Sequence, residues 1–89
     1  LVGIGLNYRK IEQWEKAIEC FKEAFDIAKY NENRKEEIQI RVDLAEVFIK
    51  VNKRDLATSQ IEEAEKDIRY INTNWSQSLM RRIESLRDF

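Results

Sequence analysis

The sequence predicts an all-α fold of five helices, arranged as antiparallel hairpins and ended by a C-terminal capping helix. Three observations lead to this prediction. The 89-residue chain has no proline and only two glycines, and good helix formers dominate it. Its apolar residues recur at offsets of three and four, which is the spacing of one face of a helix. The same pattern then returns after a shift of 40 residues.

The first two predicted helices form one hairpin. The first covers residues 1–11, and the second covers residues 14–30 after a break at Glu12 and Gln13. Each helix has apolar residues along one side, so each is expected to pack against its neighbour. These residues are Leu1, Ile4, Tyr8 and Ile11 in the first helix, and Trp14, Ala17, Ile18, Phe21, Ala24, Phe25 and Ala28 in the second.

The next two predicted helices cover residues 34–51 and 54–71. Asn33 and Glu36 match a capping box, in which side chains at the helix start satisfy unpaired backbone groups. The third helix is apolar around most of its circumference, so we expect neighbours on several of its sides. Asn52 follows it, and asparagine suits the left-handed conformation that ends many helices.

The fifth predicted helix covers residues 75–88 and has a different character. Asn74 and Gln77 match a second capping box. The helix has one apolar side (Trp75, Leu79, Ile83, Leu86) and one polar side (Gln77, Arg81, Glu84, Ser85, Asp88). A helix with one polar side suits the solvent-facing end of a stack of repeats. We therefore predict that it caps the stack.

The repeated pattern alternates small and large residues. After the 40-residue shift, Gly5, Ala17 and Ala24 fall on Ala45, Ala57 and Ala64. Small residues let two helices approach closely, and large residues fill the grooves beside them. The pattern resembles the tetratricopeptide repeat. The matching residues are Leu1, Ile4, Gly5, Tyr8, Ala17, Phe21 and Ala24 in the first copy, and Arg41, Leu44, Ala45, Phe48, Ala57, Ile61 and Ala64 in the second.

This resemblance implies a right-handed superhelix built from two repeats and a cap. Repeat one would cover residues 1–31 with its first helix partly truncated, repeat two residues 34–72, and the cap residues 75–88, all within one fragment (1–89). The period of 40 exceeds the usual 34. Long repeats of this kind resemble those of bacterial peptide-pheromone receptors, the Rap phosphatase and PlcR-like regulators. The chain departs from the usual pattern at Lys29 and Arg69, where proline is common.

The resemblance also implies a function. Tetratricopeptide arrays bind partners on a concave surface lined by the first helix of each hairpin. We therefore expect a non-catalytic module that binds a protein or peptide segment, as the C-terminal part of a longer bacterial signalling or transcription regulator. The alternative is a structural element for dimerisation or stacking with no ligand. The predicted binding residues are Val2, Leu6, Arg9, Lys10, Gln39, Val42, Asp43, Glu46, Ile49 and Lys50.

The composition argues against other kinds of function. The chain has no histidine and no glycine-rich loop, so we predict no catalysis, cofactor or metal site. Its net charge is −1, which provides no field for nucleic acid or an anionic membrane. Cys20 is the single cysteine and cannot form an internal disulfide, so we expect a reducing, cytoplasmic setting. Trp14 and Trp75 are candidate anchors for a partner, but packing against the next hairpin is the preferred interpretation.

Overall fold

A computed structural model describes residues 2–71 and 73–87, and these residues form five α-helices and no strand. The all-α prediction with five helices is confirmed, whereas the superhelical arrangement stays a prediction. The predictions made for Leu1 and Asp88 lie outside the described residues. The helices are α1 (Val2–Lys10), α2 (Trp14–Tyr30), α3 (Arg34–Lys50), α4 (Arg54–Ile68) and α5 (Asn74–Arg87).

One type of turn joins the first four helices. The middle residue of each turn is Glu12, Glu32 or Asn52, with φ values of 62°, 56° and 62°. In each turn, the next backbone N–H donates to a carbonyl five residues earlier at 2.8 Å, which is the Schellman pattern. The left-handed conformation predicted for Asn52 is confirmed. The two glutamates adopt it as well, although their side chains give no local sign of it.

The start of α3 follows one half of the predicted capping box, the cap by Asn33, while the Asn33 backbone N–H donates to the Ala28 carbonyl and not to Glu36. The backbone N–H of Glu36 donates to the side-chain oxygen of Asn33 at 3.3 Å. In return, the side-chain amide of Asn33 donates to the Glu36 carboxylate at 3.0 Å. The pair therefore satisfies one unpaired backbone donor of α3 and orders both side chains.

The second predicted capping box is displaced by one residue. Thr73 caps α5, not Asn74: the Ser76 N–H donates to the Thr73 hydroxyl at 3.2 Å, and the Thr73 N–H donates to the Ser76 hydroxyl at 2.9 Å. This reciprocal pair starts α5 at Asn74. The predicted pairing of Asn74 with Gln77 was therefore wrong, because the helix starts one residue earlier and the Gln77 N–H donates to the Thr73 carbonyl at 3.1 Å.

The end of α4 also differs from the prediction. The helix ends at Ile68, three residues before the predicted end at Ile71. Past this point the backbone tightens, because Tyr70 donates to Asp67 and Ile71 donates to Ile68, each across three residues. Such bonds are typical of the short turns that finish a helix.

The small residues of the repeat are contact points between helices. All six are buried, and four of them (Ala17, Ala45, Ala57 and Ala64) are at most 2% exposed. Gly5 lies directly against the buried ring of Phe21, which joins α1 to α2. The prediction that these positions face the protein interior is confirmed for Gly5, Ala17, Ala24, Ala45, Ala57 and Ala64.

The core is centred on α3. This helix packs against α2, α4 and α5, and it buries residues on several sides, as its composition predicts. α5 lies across α3 and α4 and buries Leu79, Ile83 and Leu86, while Trp75 is half-buried. The opposite side of α5 is exposed at Gln77, Arg81, Glu84 and Ser85.

Candidate functional site

Four charged side chains from α1, α3 and α5 meet on one surface; we call them the charge cluster (Arg9, Asp43, Glu46 and Arg82). The Arg82 guanidinium lies 2.7 Å from both the Asp43 and the Glu46 carboxylates. Arg9 donates to the same Glu46 oxygen and lies 3.8 Å from Asp43. Two arginines from different helices therefore share two carboxylates of α3.

Local geometry brings the two carboxylates together. Asp43 and Glu46 are three residues apart on α3, so they project from the same side of that helix. Arg9 is in the last turn of α1, where a cation is favoured by the helix dipole. Arg82 reaches the pair from α5 because that helix packs across α3.

The members of the cluster differ in burial. The Asp43 side chain is only 4% exposed, whereas those of Arg9, Glu46 and Arg82 are 28%, 31% and 30% exposed. A buried carboxylate is costly unless it is paired and hydrogen-bonded, and the two arginines satisfy this condition. Asp43 is therefore the interior end of the cluster, and the other three side chains face solvent.

Burial also affects the ionisation of the cluster. Burial raises the pKa of Asp43, and the nearby charges of Arg82 and Arg9 oppose the shift without cancelling it. For Arg82, burial alone would lower the pKa, but the pairs with Asp43 and Glu46 outweigh it, so the net shift is upward. Arg82 therefore stays charged, and folding favours the protonated form of Asp43.

The structure divides the predicted binding residues into three groups. Val42 and Asp43 are buried, with Val42 at 0% exposure, so neither offers a surface to a partner as was expected. Both lie on the part of α3 that packs against its neighbours, and this burial corrects the prediction for these two positions. The half-buried residues are Val2, Leu6, Arg9, Gln39, Glu46 and Ile49, and the exposed ones are Lys10 and Lys50.

Trp75 forms the wall of two shallow grooves beside the cluster. One groove, of about 240 Å³, lies between Trp75 and the first turns of α3, and the Lys35 ammonium sits 5.0 Å above the indole ring. The other, of about 170 Å³, is lined by Gln39, Trp75 and Arg82, among others. The half-buried indole thus connects α5 to α3 and keeps part of its surface open.

Arg82 is a cluster member that the sequence analysis missed. The repeat itself held the signal, because the 40-residue shift that relates Val2 to Val42 continues from Val42 to Arg82. The repeat was followed only through its second copy, so position 82 in the predicted cap was not considered for the site. Arg82 is what allows Asp43 to be buried as part of an ion pair.

The described residues contain neither a group of metal ligands nor a helix suited to crossing a membrane. Within residues 2–71 and 73–87, no group of three or more His, Cys, Asp or Glu side chains could hold a metal ion. No helix in the same part of the chain is both long enough and apolar enough to cross a membrane. Cys20 is a free, half-buried thiol on α2.

Comparisons with known proteins give no relative. No protein-family model matches the chain, and neither a search of curated proteins nor a search of solved structures returned a match.

Proposed function

We propose that this chain is a non-catalytic module that binds a protein or peptide segment, built as a tetratricopeptide-like superhelix. Its concave surface would be formed by α1, α3 and α5. The burial of all six small repeat residues supports this architecture, because the repeat pattern predicts those positions as helix contacts. By the same resemblance, we propose that the chain is the C-terminal part of a longer bacterial signalling or transcription regulator.

The observation that carries the proposal is the meeting of α1, α3 and α5 at the charge cluster. These helices are separated in sequence, yet Arg9 and Arg82 both reach Glu46, across 37 and 36 residues. A segment lying across this surface could therefore contact all three helices at once. Charged side chains that are about 30% exposed can exchange one ionic partner for another without opening the core.

Apolar side chains on the same helices as the cluster would supply the rest of the contact. Val2 and Leu6 on α1 and Ile49 on α3 are half-buried, so a partner can still cover them. Peptide sites commonly combine such apolar spots with a few directed hydrogen bonds. In this proposal Glu46, Arg9 and Arg82 orient the partner, while Val42 and Asp43 support them from beneath.

A panned library of random peptides displayed on phage tests this proposal with the full chain as bait. We expect enriched peptides that bind wild type and bind Glu46→Ala at least about tenfold more weakly by fluorescence anisotropy. Glu19→Ala is the matched control, because Glu19 is exposed on α2 and has the same chemistry. Circular dichroism would check that both variants fold. A library that yields no binders, or binders indifferent to Glu46→Ala, would contradict the proposal.

The alternative function is a structural element for dimerisation or stacking with no ligand. One observation favours it: two of the predicted binding residues, Val42 and Asp43, are already covered within the chain. Sedimentation velocity over a range of concentrations distinguishes the two functions. A dimer that Leu6→Glu dissociates would favour the structural role, and a monomer at all concentrations would oppose it.

A further inference from the structure

α1 and the turn after it carry an apolar face that the other described residues leave largely uncovered. Ile4 on α1 is 50% exposed, and Ile11, in the turn directly after α1, is 64% exposed. The Ile11 N–H donates to the Asn7 carbonyl as in a helix, so Ile11 lies on the same side as Ile4, seven residues before it. Tyr8 lies between them and is half-buried. We call these three residues the incoming face (Ile4, Tyr8 and Ile11). It lies on a different side of α1 from Arg9, so it is separate from the charge cluster.

The second copy of the repeat has the same face in a covered state. The residues 40 positions later are Leu44, Phe48 and Val51. Leu44 and Phe48 are each only 4% exposed, and Val51 is half-buried. The same positions are therefore apolar in both copies, but within the described residues Leu44 and Phe48 are removed from water, whereas Ile4 and Ile11 are not.

Two neighbours meet this side of α3, α2 of the first hairpin and α4. The Arg41 guanidinium lies 4.7 Å from the centre of the Phe25 ring on α2 and donates to the Gln60 side chain on α4 at 3.0 Å. α4 stands to α3 as α2 stands to α1, so among the described residues α2 is the neighbour of α3 that has no counterpart beside α1. Leu44 and Phe48 follow Arg41 by three and seven residues, so they share its side of α3. Ile18 precedes Phe25 by seven residues and is also half-buried against the core. Phe25 and Ile18 are thus part of the stripe that α2 presents to α3.

We propose that the incoming face docks a helical hairpin of this same repeat type, packed on α1 as the α1–α2 hairpin packs on α3. The docked hairpin would present an apolar and aromatic stripe equivalent to Phe25 and Ile18. The proposal continues an interface that already exists within the chain. It does not depend on peptide binding.

The other end of the molecule is built differently, which gives the interaction a direction. The outward side of α5 is exposed and polar at Gln77, Arg81, Glu84 and Ser85. A polar end surface stops the addition of repeats. A second copy therefore cannot satisfy the incoming face with its α5 end, and the partner must offer an α2-like stripe.

A lengthened chain tests the proposal, with residues 1–40 copied in front of residue 1 so that the 40-residue period is kept. Hydrogen exchange of the α1 amides is the measurement. We expect exchange to slow by on the order of tenfold or more, relative to a control in which only residues 33–40 are copied. That control extends α1 with the residues that begin α3, including the Asn33 cap, but adds no hairpin.

A second control separates docking from mere tethering. In the added copy alone, Phe25→Asp together with Ile18→Asp should remove the extra protection of the α1 amides. The proposal is overturned if the full lengthened chain protects α1 no more than the short control does, or if the added hairpin gains no helix by circular dichroism. It is also overturned if the 89-residue chain forms a dimer that Ile11→Glu dissociates, because the face then takes a second copy.

Discussion

Replacing Gly5 with alanine tests the closest contact between α1 and α2. A Cβ atom added at Gly5 would lie 2.8, 3.0 and 3.2 Å from three ring atoms of Phe21. The Phe21 ring is 0% exposed, so it has no free space to move into. Gly3 provides the matched control, because it is in the same helix and a Cβ added there would meet no atom within 4 Å.

The expected magnitudes follow from two opposing effects. Alanine in place of a helical glycine stabilises a helix by roughly 0.5–1 kcal/mol, and Gly3→Ala should show this gain. At Gly5 the same gain is opposed by overpacking against a rigid buried ring, which costs about 1–3 kcal/mol. We therefore expect Gly5→Ala to lower the free energy of unfolding by up to about 2 kcal/mol, opposite in sign to Gly3→Ala.

Urea unfolding followed by circular dichroism measures both variants. A double-mutant cycle with Phe21→Leu identifies the cause, because a smaller side chain at position 21 should relieve part of the Gly5→Ala penalty. If Gly5→Ala stabilises the chain as much as Gly3→Ala does, the close contact between Gly5 and Phe21 is not a determinant of the packing, and the reasoning fails.

Three further predictions concern the turns, the α5 cap and the charge cluster. Glu12→Gly should raise the free energy of unfolding by roughly 1 kcal/mol, because the positive φ at this position is strained for glutamate. Asn52→Gly should raise it less, because asparagine tolerates a positive φ better. Equal gains for the two variants in urea unfolding would contradict this reasoning. Thr73→Ala should lower the free energy of unfolding by about 1 kcal/mol, because the Ser76 N–H loses its hydroxyl acceptor. An unchanged midpoint of urea unfolding would argue against Thr73 as the cap of α5. Burial raises the pKa of Asp43, so this group's contribution to stability is complete below the ordinary value of 3.8 and is lost as the pH rises through the raised value. The free energy of unfolding of the wild type should therefore rise relative to that of Asp43→Asn as the pH falls from neutral toward the raised pKa of Asp43. If the two proteins change in stability by the same amount over this pH range, the prediction is refuted.

The helices were predictable because their determinants are local. Apolar spacing placed α2 between Trp14 and Tyr30 as the structure has it, and Asn33 marked the start of α3. Helix ends were less certain where two local patterns compete. Thr73 and Asn74 are both good caps, and the sequence does not state which of them acts.

The candidate site was only partly predictable. The repeat spacing selected Glu46 and Arg9, which do meet on one surface. It also selected Val42 as a surface residue, although α3 is covered by neighbours on that side. Arg82 was not predicted because it lies in the predicted cap, and its pairing with Asp43 and Glu46 depends on how α5 packs on α3.

Backbone hydrogen bonds and helical periodicity act over a few residues, so the residue pattern was enough to predict the helices and the small residues buried between them. Which charges pair and which apolar faces are covered depends on contacts between distant helices. Arg82 and Glu46 are 36 residues apart, so their contact depends on how α5 crosses α3. In the same way, Leu44 is covered and Ile4 is half exposed, since within the described residues α3 packs between α2 and α4, whereas α1 packs against α2.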